Sequence, residues 1–470
     1  MPPLHKPHVA HFVTLPSRRA QVAGTADVLV VGGGPAGLGA AIGAAEAGAR
    51  VIVAERYGFF GGNSTIAMVA PLMSSHTRYH KVKGKTDPVL FPADHGGGSL
   101  VIEGVLARLL HRLIEKGGAL APTEQTGFVV PFDHEIMKIV SQQMLDEAGV
   151  KYLLHSFASD IRFSPEPSVT FETKSGPIVV TARIVVDATG DGDIAALAGA
   201  PYECGSSPTH PGQPMTLYFR MGDCDLRRFR QFVHQNPDQW SGVVGLSKKV
   251  KQAHLNGEWN IPRDNVLLFG TPHENEVSVN STRVLRVLGT DVWDLTRAEW
   301  HGRQQMVEVA SFLSKYVPGF QGAYVIQSGS QIGVRETRRI MGDYQLTAED
   351  LFDTRHFDDV IARSTYPIDI HNPHGEGTKL IHLPPGSAYD IPLRCLLPQK
   401  LDSVLVAGRC ISGTHEAHSS YRVMPVCMAT GQAAGVCAAL AALGRCKTRD
   451  ISATQVQEVL HRQGAHLGDT

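Results

Sequence analysis

The sequence predicts an α/β fold with a parallel sheet, and three observations support this fold class. Apolar runs at 28–31 and 50–54 flank a glycine-rich turn and an alanine-rich helix. Two later stretches, 182–193 and 402–410, each lead from an apolar run into a turn that contains glycine. Continuous apolar runs are typical of parallel strands, because such strands are buried on both faces.

The composition is that of an ordinary globular protein with two or three domains. Of the 470 residues, 43% are hydrophobic and 19% are charged, and the net charge is −1. This balance argues against nucleic acid as the main partner, since phosphate binding needs clustered Lys and Arg. The seven cysteines include no CxxC pair, which favours reduced thiols and a cytoplasmic location over a zinc or iron–sulfur site.

Two segments are tested for targeting or membrane function. Residues 1–26 lack the apolar core of a signal peptide and are predicted to form an N-terminal extension. Residues 423–443 are apolar and long enough to span a bilayer. Their Pro, Thr and Gln and their many small residues favour a helix buried in protein, so no membrane span is predicted.

The first glycine-rich turn predicts a dinucleotide site. Gly32, Gly34 and Gly37 fit the pattern GxGxxG between a strand and a helix. Gly32 permits the tight turn, Gly34 lets the backbone approach a pyrophosphate, and Gly37 lets the helix pack on the strand. Free N–H groups at the helix N-terminus favour the phosphates. Glu55 ends the second strand, where it can accept hydrogen bonds from ribose hydroxyls.

The later turns favour FAD over NAD. The stretch "ERYGFFGGNS" (55–64) suggests a second close approach of backbone to the ligand, where an NAD-binding domain begins another helix. The turns at 188–191 and 408–409 come much later in the chain. Distant turns of this kind suggest one extended cofactor that is held by several segments.

These motifs resemble the FAD-dependent oxidoreductase family. The resemblance covers about 27–440 and is carried by "VVGGGPAG", "VVDATGDGDIAALAGA", "IGVRETRRIMGDYQLTAEDL", "VLVAGRCISGTHEAHSSYRVM" and "GQAAGVCAAL". It implies a Rossmann-like FAD-binding domain of the glutathione-reductase type, similar to succinate dehydrogenase and fumarate reductase flavoproteins. That domain is expected over 27–200 and 390–444, with an inserted α+β substrate domain at 201–389 and a C-terminal tail at 445–470.

The resemblance also implies the cofactor contacts. They are expected from Gly32, Gly34, Pro35, Ala36 and Gly37 at the pyrophosphate, Glu55 and Arg56 at the ribose, Gly61, Gly62 and Asn63 along the ribityl chain and ring, Phe157 or Ala158 at adenine, Ala188, Gly190 and Asp191 beside the pyrophosphate, Gly408 and Arg409 near the phosphates, and Arg422 and Val423 at the flavin. His76 lies in a Ser-His-Thr sequence of the kind that binds FAD covalently in succinate dehydrogenases, but at the wrong offset.

The stretch "ISGTHEAHSSYRVM" (411–424) is predicted to be part of the cofactor shell. Ser419 or Ser420 is expected to cap a helix at about 420–440 whose N-terminus faces the pyrimidine edge of the flavin. That end and Arg422 would stabilise negative charge on the reduced ring.

The same stretch supplies candidate catalytic residues. His415, with Glu416 beside it, is a candidate base that takes a proton as hydride leaves the substrate. The alternative is that His415 only orders the loop, and His418 is expected to be structural.

The middle of the chain supplies substrate candidates. A helix over "QIGVRETRRI" would place Arg335 and Arg338, or Arg335 and Arg339, on one face to clamp a carboxylate. The alternative is that these arginines form ion pairs with nearby acids, namely Glu336, Asp343 or Glu349.

The histidine-containing run 366–382 is expected to form a loop over the active site. Its candidates for lining the site are Tyr366, Asp369 and His371, and three-histidine metal binding by His371, His374 and His382 is disfavoured because the spacing is irregular. The alternating stretch 273–284 predicts a strand that presents Asn280.

The predicted function is that of an FAD-dependent dehydrogenase or oxidase. It would pass hydride from a small organic substrate to flavin N5, and electrons onward to O2 or an external acceptor, since no second dinucleotide motif is present to hold NADPH. The alternatives are a reductase, a monooxygenase, or a non-redox isomerase or lyase that uses FAD as a scaffold. A homo-oligomer is compatible with the sequence.

Overall fold

The computed structural model describes residues 12–77, 91, 98–122, 129–206, 212–372, 375 and 377–468. The strands in this part of the chain are β1 (Gln21–Val31), β2 (Val51–Ala54), β3 (Lys151–Leu153), β4 (Phe157–Phe163), β5 (Pro167–Thr173), β6 (Gly176–Asp187), β7 (Tyr202–Cys204), β8 (Phe219–Gly222), β9 (Trp240–Ser241), β10 (Val244–Gly245), β11 (Val266–Gly270), β12 (Val277–Val279), β13 (Tyr324–Ser328), β14 (Arg338–Ile340), β15 (Val360–Ser364), β16 (Ile368–His371), β17 (Thr378–Ile381), β18 (Tyr389–Pro392) and β19 (Val404–Val406).

The α-helices in the same part of the chain are α1 (Pro35–Glu46), α2 (Val105–Glu115), α3 (His134–Glu147), α4 (Asp193–Leu197), α5 (Leu226–Gln235), α6 (Ser247–Leu255), α7 (Val292–Tyr316), α8 (Ala348–Phe352), α9 (His415–Tyr421), α10 (Met424–Gly444) and α11 (Ala453–Arg462).

The long strand β6 is the centre of the larger sheet. It pairs with β1 along one edge, and along the other edge it pairs with β5 over its first half and with β19 over its last three residues. The strands β3, β2, β1, β6 and β19 are mutually parallel in that order, and β5 and β4 continue the sheet antiparallel. The predicted α/β fold with a parallel sheet is therefore confirmed. The first strand begins at Gln21, so residues 21–26 belong to the sheet and not to an extension.

A second, antiparallel sheet follows the order β13-β8-β12-β11-β10-β9. Its apolar core is formed by residues between 215 and 334, including side chains of α5, α6 and α7. The expected strand in 273–284 is present as β12, which is shorter than the prediction. Apolar residues from 340 to 401 pack with the core of the first sheet instead.

Helices α1 and α10 cross at unusually short range because glycines face backbone at the crossing. A Cβ on Gly431 would overlap the carbonyl oxygen of Ala36, and a Cβ on Gly435 would overlap that of Ala40. Helix α10 is apolar and long enough to cross a membrane, but 83% of its most apolar 18-residue window is buried in protein. Close packing against α1 therefore accounts for its small, apolar residues.

We predict that Gly435→Ala lowers the free energy of unfolding by about 1–3 kcal/mol, because the helices must move apart to admit the methyl group. Gly444→Ala in the same helix is the matched control, since a Cβ there meets only the Cys446 sulfur at 3.4 Å. Urea unfolding of both variants measures the difference. Equal unfolding midpoints would contradict the close-crossing interpretation.

Candidate active site

A first cavity lies at the carboxyl ends of the parallel strands. Its walls come from the turns after β1, β2, β6 and β19, from the start of β4, and from the N-terminus of α1. Those walls contain Gly32, Gly34, Pro35, Ala36, Glu55, Arg56, Tyr57, Gly62, Asn63, Phe157, Ala158, Ala188, Thr189, Gly190, Asp191, Gly408, Arg409, Arg422 and Cys427. Ligands of open parallel sheets bind at this edge, beside free N–H groups of a helix N-terminus.

Glu55 ties two of these turns together. One carboxylate oxygen, Oε2, accepts a hydrogen bond from the Gly33 N–H at 2.6 Å, and Oε1 accepts from the Tyr57 N–H at 2.9 Å. Burial raises the pKa of this carboxyl, and the backbone hydrogen bonds oppose that effect. Glu55 lies in the wall of the first cavity, where its remaining lone pairs can accept from ribose hydroxyls.

Two aspartates fix the turn after β6. Asp187 is fully buried and accepts hydrogen bonds from Thr189 and from the Ala195 N–H at 2.8 Å. Asp191 pairs with Arg409 at 2.6 Å and accepts from the Thr337 hydroxyl at 2.9 Å. The hydrogen bond between Thr337 and Asp191 joins the turns after β6 and β19 to the segment that carries Arg335.

Two of the predicted cofactor glycines do not line the first cavity. A Cβ on Gly37 would overlap the carbonyl oxygen of Gly32, so this residue permits helix–strand packing, as its position in the motif implies. Gly61 has φ 111° and turns the chain so that Gly62 and Asn63 reach the wall. Both glycines shape the turns, and their contact with the cofactor stays a prediction.

A second cavity, of about 630 Å³, lies beside the antiparallel sheet. Asn63, Val334, Arg409, Arg422 and Met424 line both cavities, so the two spaces meet at these residues. The second cavity is otherwise lined by the outer face of the antiparallel sheet, the hairpin β16–β17, the 69–73 segment and the start of α10.

The start of α10 lies at this junction, although the helix begins later than predicted. Val423 is the N-cap residue and makes no side-chain cap hydrogen bond, so the expected serine cap is wrong. Ser419 and Ser420 lie inside α9 and donate hydrogen bonds to the carbonyl oxygens of Glu416 and Tyr366. Arg422 ends α9 and borders both cavities.

Asp369 organises a polar cluster in the second cavity. Its Oδ2 accepts from the Tyr366 hydroxyl at 3.0 Å and lies 3.4 Å from both His371 Nε2 and Arg422 Nη2. Burial disfavours its charged form, but His371, Arg422 and Tyr366 together hold the pKa of the Asp369 carboxyl well below its usual range. Burial also holds the pKa of His371 well below its usual value, with Asp369 opposing and Arg335 adding to the shift.

The arginines of 335–339 do not lie together on one face of a helix. Residues 338–340 form β14, paired with β7, so the predicted helix is wrong and neighbouring side chains alternate between the two faces of the strand. Arg335 lines the second cavity, where Nη1 donates to the Pro214 carbonyl and to Thr216 Oγ1. Arg338 instead pairs with Asp193 at 2.7 Å, which removes it from the substrate candidates.

The geometry favours the alternative hypothesis for His415, namely that it orders its loop. His415 is buried and its Nδ1 lies 2.9 Å from Glu336, which also binds Arg339. Glu416 is exposed on α9, and neither residue belongs to the walls of the two cavities as described. His418 is fully buried, neither ring nitrogen has a hydrogen-bond partner within the described residues, and it is absent from the described walls of both cavities.

The remaining predictions concern metal and covalent chemistry. Within the described residues, no group of three or more His, Cys, Asp or Glu side chains could hold a metal ion. His374 lies outside the described residues, and His382 follows β17 directly. His76 Nδ1 lies 3.0 Å from the Ser75 hydroxyl, and His76 is absent from the described walls of the first cavity.

Several residues of the second cavity escaped the sequence analysis, notably Arg263, Arg283 and Tyr218. Arg263 stands alone in a turn and Arg283 lies just beyond β12. No spacing or motif marks either residue. Only the pairing of the antiparallel strands brings both to the cavity.

The fold and the first cavity define a dinucleotide-binding α/β protein. The sequence model of the family described as FAD dependent oxidoreductase matches residues 27–460, and the chain belongs to this family. The protein is therefore an oxidoreductase whose cofactor is FAD. The extended first cavity fits that cofactor, because its walls offer backbone N–H groups, an acid for ribose and arginine side chains.

Other known proteins match more weakly. NADH:fumarate oxidoreductase of Klebsiella pneumoniae (strain 342) is 48% identical over 61 residues, which are 13% of this chain and 6% of that protein. The solved structure of a geranylgeranyl bacteriochlorophyll reductase-like protein from Thermoplasma acidophilum has a TM-score of 0.43 and 13% identity, covering 94% of this chain and 84% of that one.

A p-nitrophenol 4-monooxygenase from Pseudomonas putida DLL-E4 has a TM-score of 0.44 and 11% identity, covering 93% of this chain and 84% of that one. Similarity at this level defines no substrate.

We predict that Gly34→Leu yields folded, colourless protein. A Cβ at this position meets only Gly62 at ordinary contact distance, 3.6 Å, so the protein itself tolerates a side chain that would fill the first cavity. Visible absorbance measures bound flavin and circular dichroism measures folding. A yellow, folded variant would show that the pyrophosphate lies elsewhere.

Proposed function

We propose that the protein is an FAD-dependent dehydrogenase or oxidase whose substrate binds in the second cavity. The observation that carries the proposal is the shared wall of Asn63, Val334, Arg409, Arg422 and Met424. A cofactor that fills the first cavity would end at this wall, and a substrate in the second would face it. The contacts of FAD with the turn residues of the first cavity are part of this proposal.

The positive end of α10 supports the orientation of the cofactor. Arg422 and Met424 lie at the junction, where the helix N-terminus presents free N–H groups. These groups stabilise negative charge that develops nearby. The flavin end of FAD is therefore proposed to lie at this junction, with the adenine end toward β4.

Substrate oxidation needs a proton acceptor in the second cavity. Oxidation at a C–H bond next to an O–H or N–H group removes a hydride, which carries two electrons and one proton, and also the proton of the O–H or N–H group. FAD, when bound, would supply the acceptor of the hydride. The remaining proton is proposed to pass to His371, which is neutral and lines the second cavity. Asp369, 3.4 Å from its Nε2, would stabilise the resulting imidazolium. Arg335 would orient the substrate.

We also propose the subtype of the cofactor-binding domain, the position of the substrate domain and the cellular compartment. The strand order β3-β2-β1-β6-β19 supports the glutathione-reductase-type subtype and a cofactor domain like that of succinate dehydrogenase flavoproteins. The antiparallel sheet would form the core of the inserted substrate domain. All seven cysteines are free thiols, which supports a reducing, cytoplasmic compartment.

Anaerobic titration with candidate substrates tests the proposed reaction. A dehydrogenase or oxidase loses its flavin absorbance when substrate is added without oxygen. Reoxidation by O2 or by a dye then distinguishes an oxidase from a dehydrogenase. Product formation without any bleaching would instead favour the scaffold role of FAD in a non-redox isomerase or lyase.

We predict that His371→Gln slows the reductive half-reaction by about 10²-fold and leaves FAD content unchanged, because the proton acceptor is lost. His415→Gln is the matched control and should bleach within a few-fold of wild type, since His415 faces Glu336. Stopped-flow absorbance measures both rates. The assignment fails if His415→Gln is the slower variant.

We also predict that the reductive half-reaction has no inflection near pH 6.5, the ordinary histidine pKa. Burial lowers the pKa of His371, and Arg335 and Arg422 reinforce that direction while Asp369 opposes it. The imidazole is therefore expected to stay neutral across about pH 5.5–8. A rate that falls as pH drops through 6.5, and that His371→Gln abolishes, would contradict a depressed pKa.

A further inference from the structure

The second cavity joins a cationic wall to an apolar wall. The cationic wall consists of Arg263, Arg283 and Arg335. The apolar wall consists of Val243, Val244, Leu267 and Phe269. The two walls share the loops and strands of one sheet, so one ligand can touch both.

Arg263 is a buried cation of this wall whose charge has little compensation. It is 6% exposed, and within the described chain its guanidinium has one hydrogen bond, from Nε to Asn265 Oδ1 at 3.2 Å. It forms no ion pair with any described carboxylate. Its backbone is fixed, because the carbonyl accepts from Trp259 Nε1 at 2.8 Å. Buried cations are costly unless an anion pairs with them.

The carboxylates of the described residues nearby do not supply that anion. Burial lowers the pKa of Arg263 to about 9, and Arg283 and Arg335 add to the effect. Asp264, the next residue, is exposed at the rim, and Asp369 is already engaged by Arg422. Among the described residues, neither Arg263 nor Arg335 therefore has an ion-pair partner, and both line the cavity.

The apolar wall follows from strand alternation. In β11, Val266 and Leu268 are fully buried in the second core, so Leu267 and Phe269 point to the opposite face. Val244 on β10 is the register partner of Leu267 and lies on the same face. Val244 and Leu267 are only half-buried, which leaves apolar surface turned toward the cavity.

We propose that the substrate is an organic acid with an extended apolar body, whose anionic head binds Arg263 and Arg335 and whose body packs on Val244, Leu267 and Phe269. This substrate class rests on the proposed function of the second cavity. A volume of about 630 Å³ far exceeds what a four-carbon dicarboxylate fills, and such a diacid would leave the apolar wall exposed to water.

Binding to the oxidised holoenzyme tests the substrate class without requiring turnover. Isothermal titration calorimetry with straight-chain carboxylates from acetate to decanoate, together with benzoate and 2-naphthoate, gives the dependence of Kd on apolar size. Each added CH₂ that reaches the wall should lower Kd about three- to fourfold. Octanamide should bind at least about tenfold more weakly than octanoate, since the head loses its charge.

Variants assign the two walls. Arg263→Gln should raise the Kd of octanoate at least about tenfold and leave octanamide unchanged, whereas Arg230→Gln, an exposed arginine of α5, should change neither. Leu267→Asn should flatten the dependence on chain length, and FAD absorbance checks that each variant is intact.

Three results would overturn the proposal. They are octanamide binding as tightly as octanoate, succinate binding more tightly than octanoate, and no binding of the straight-chain or the aromatic acids at millimolar concentration. Because none of these measurements involves reduction, failure of the redox function appears separately, as acids that bind but never bleach the flavin.

Discussion

The close crossing of α1 and α10 is the constraint on which the functional architecture depends. Gly431 and Gly435 allow the late helix to lie directly on the backbone of the first one. The first helix also begins at the dinucleotide turn, so the crossing fixes where the N-terminus of α10 lies relative to that turn. As a result, Arg422 and Met424 border the first cavity, whose walls also include the turn after β1, which lies almost 400 residues earlier in the sequence.

A second set of contacts couples the two cavities. The Thr337 hydroxyl donates a hydrogen bond to Asp191, which also pairs with Arg409. These two turns of the first cavity therefore hold the segment that carries Arg335. On the opposite side of this segment, Glu336 accepts the N–H of Gln213, whose side-chain oxygen accepts from the His371 N–H at 3.4 Å. The residues proposed to bind and deprotonate substrate are thus positioned by buried polar groups that need not touch it.

The sequence was most informative where backbone chemistry is local. The turn at Gly32–Gly37 and the acid at Glu55 follow from what a strand–turn–helix unit requires, and the strand-then-glycine pattern located Arg409. It was least informative for side chains whose role depends on how distant segments pack. His415 stands in a polar run, and only the tertiary structure directs it to Glu336. His371, which the sequence predicts to line a loop over the active site, lies in the wall of the second cavity.

The placement of Arg338 and the omission of Arg263 have the same origin. Arg338 was placed beside Arg335 by helical spacing, but pairing with β7 made that segment a strand. Arg263 has no periodic or motif signal, since a lone arginine in a turn is usually a solvated surface residue. Arg263 lies just before β11, and it lies in the wall of the second cavity together with residues of β9 and β10.

A crystal structure of the FAD complex tests the central claim most directly, namely that cofactor and substrate cavities meet at Arg422 and Met424. We expect the flavin ring to lie against the start of α10, with one face open to the cavity lined by His371 and Arg335. A ring that points to solvent, or that is separated from this cavity by protein, would contradict it.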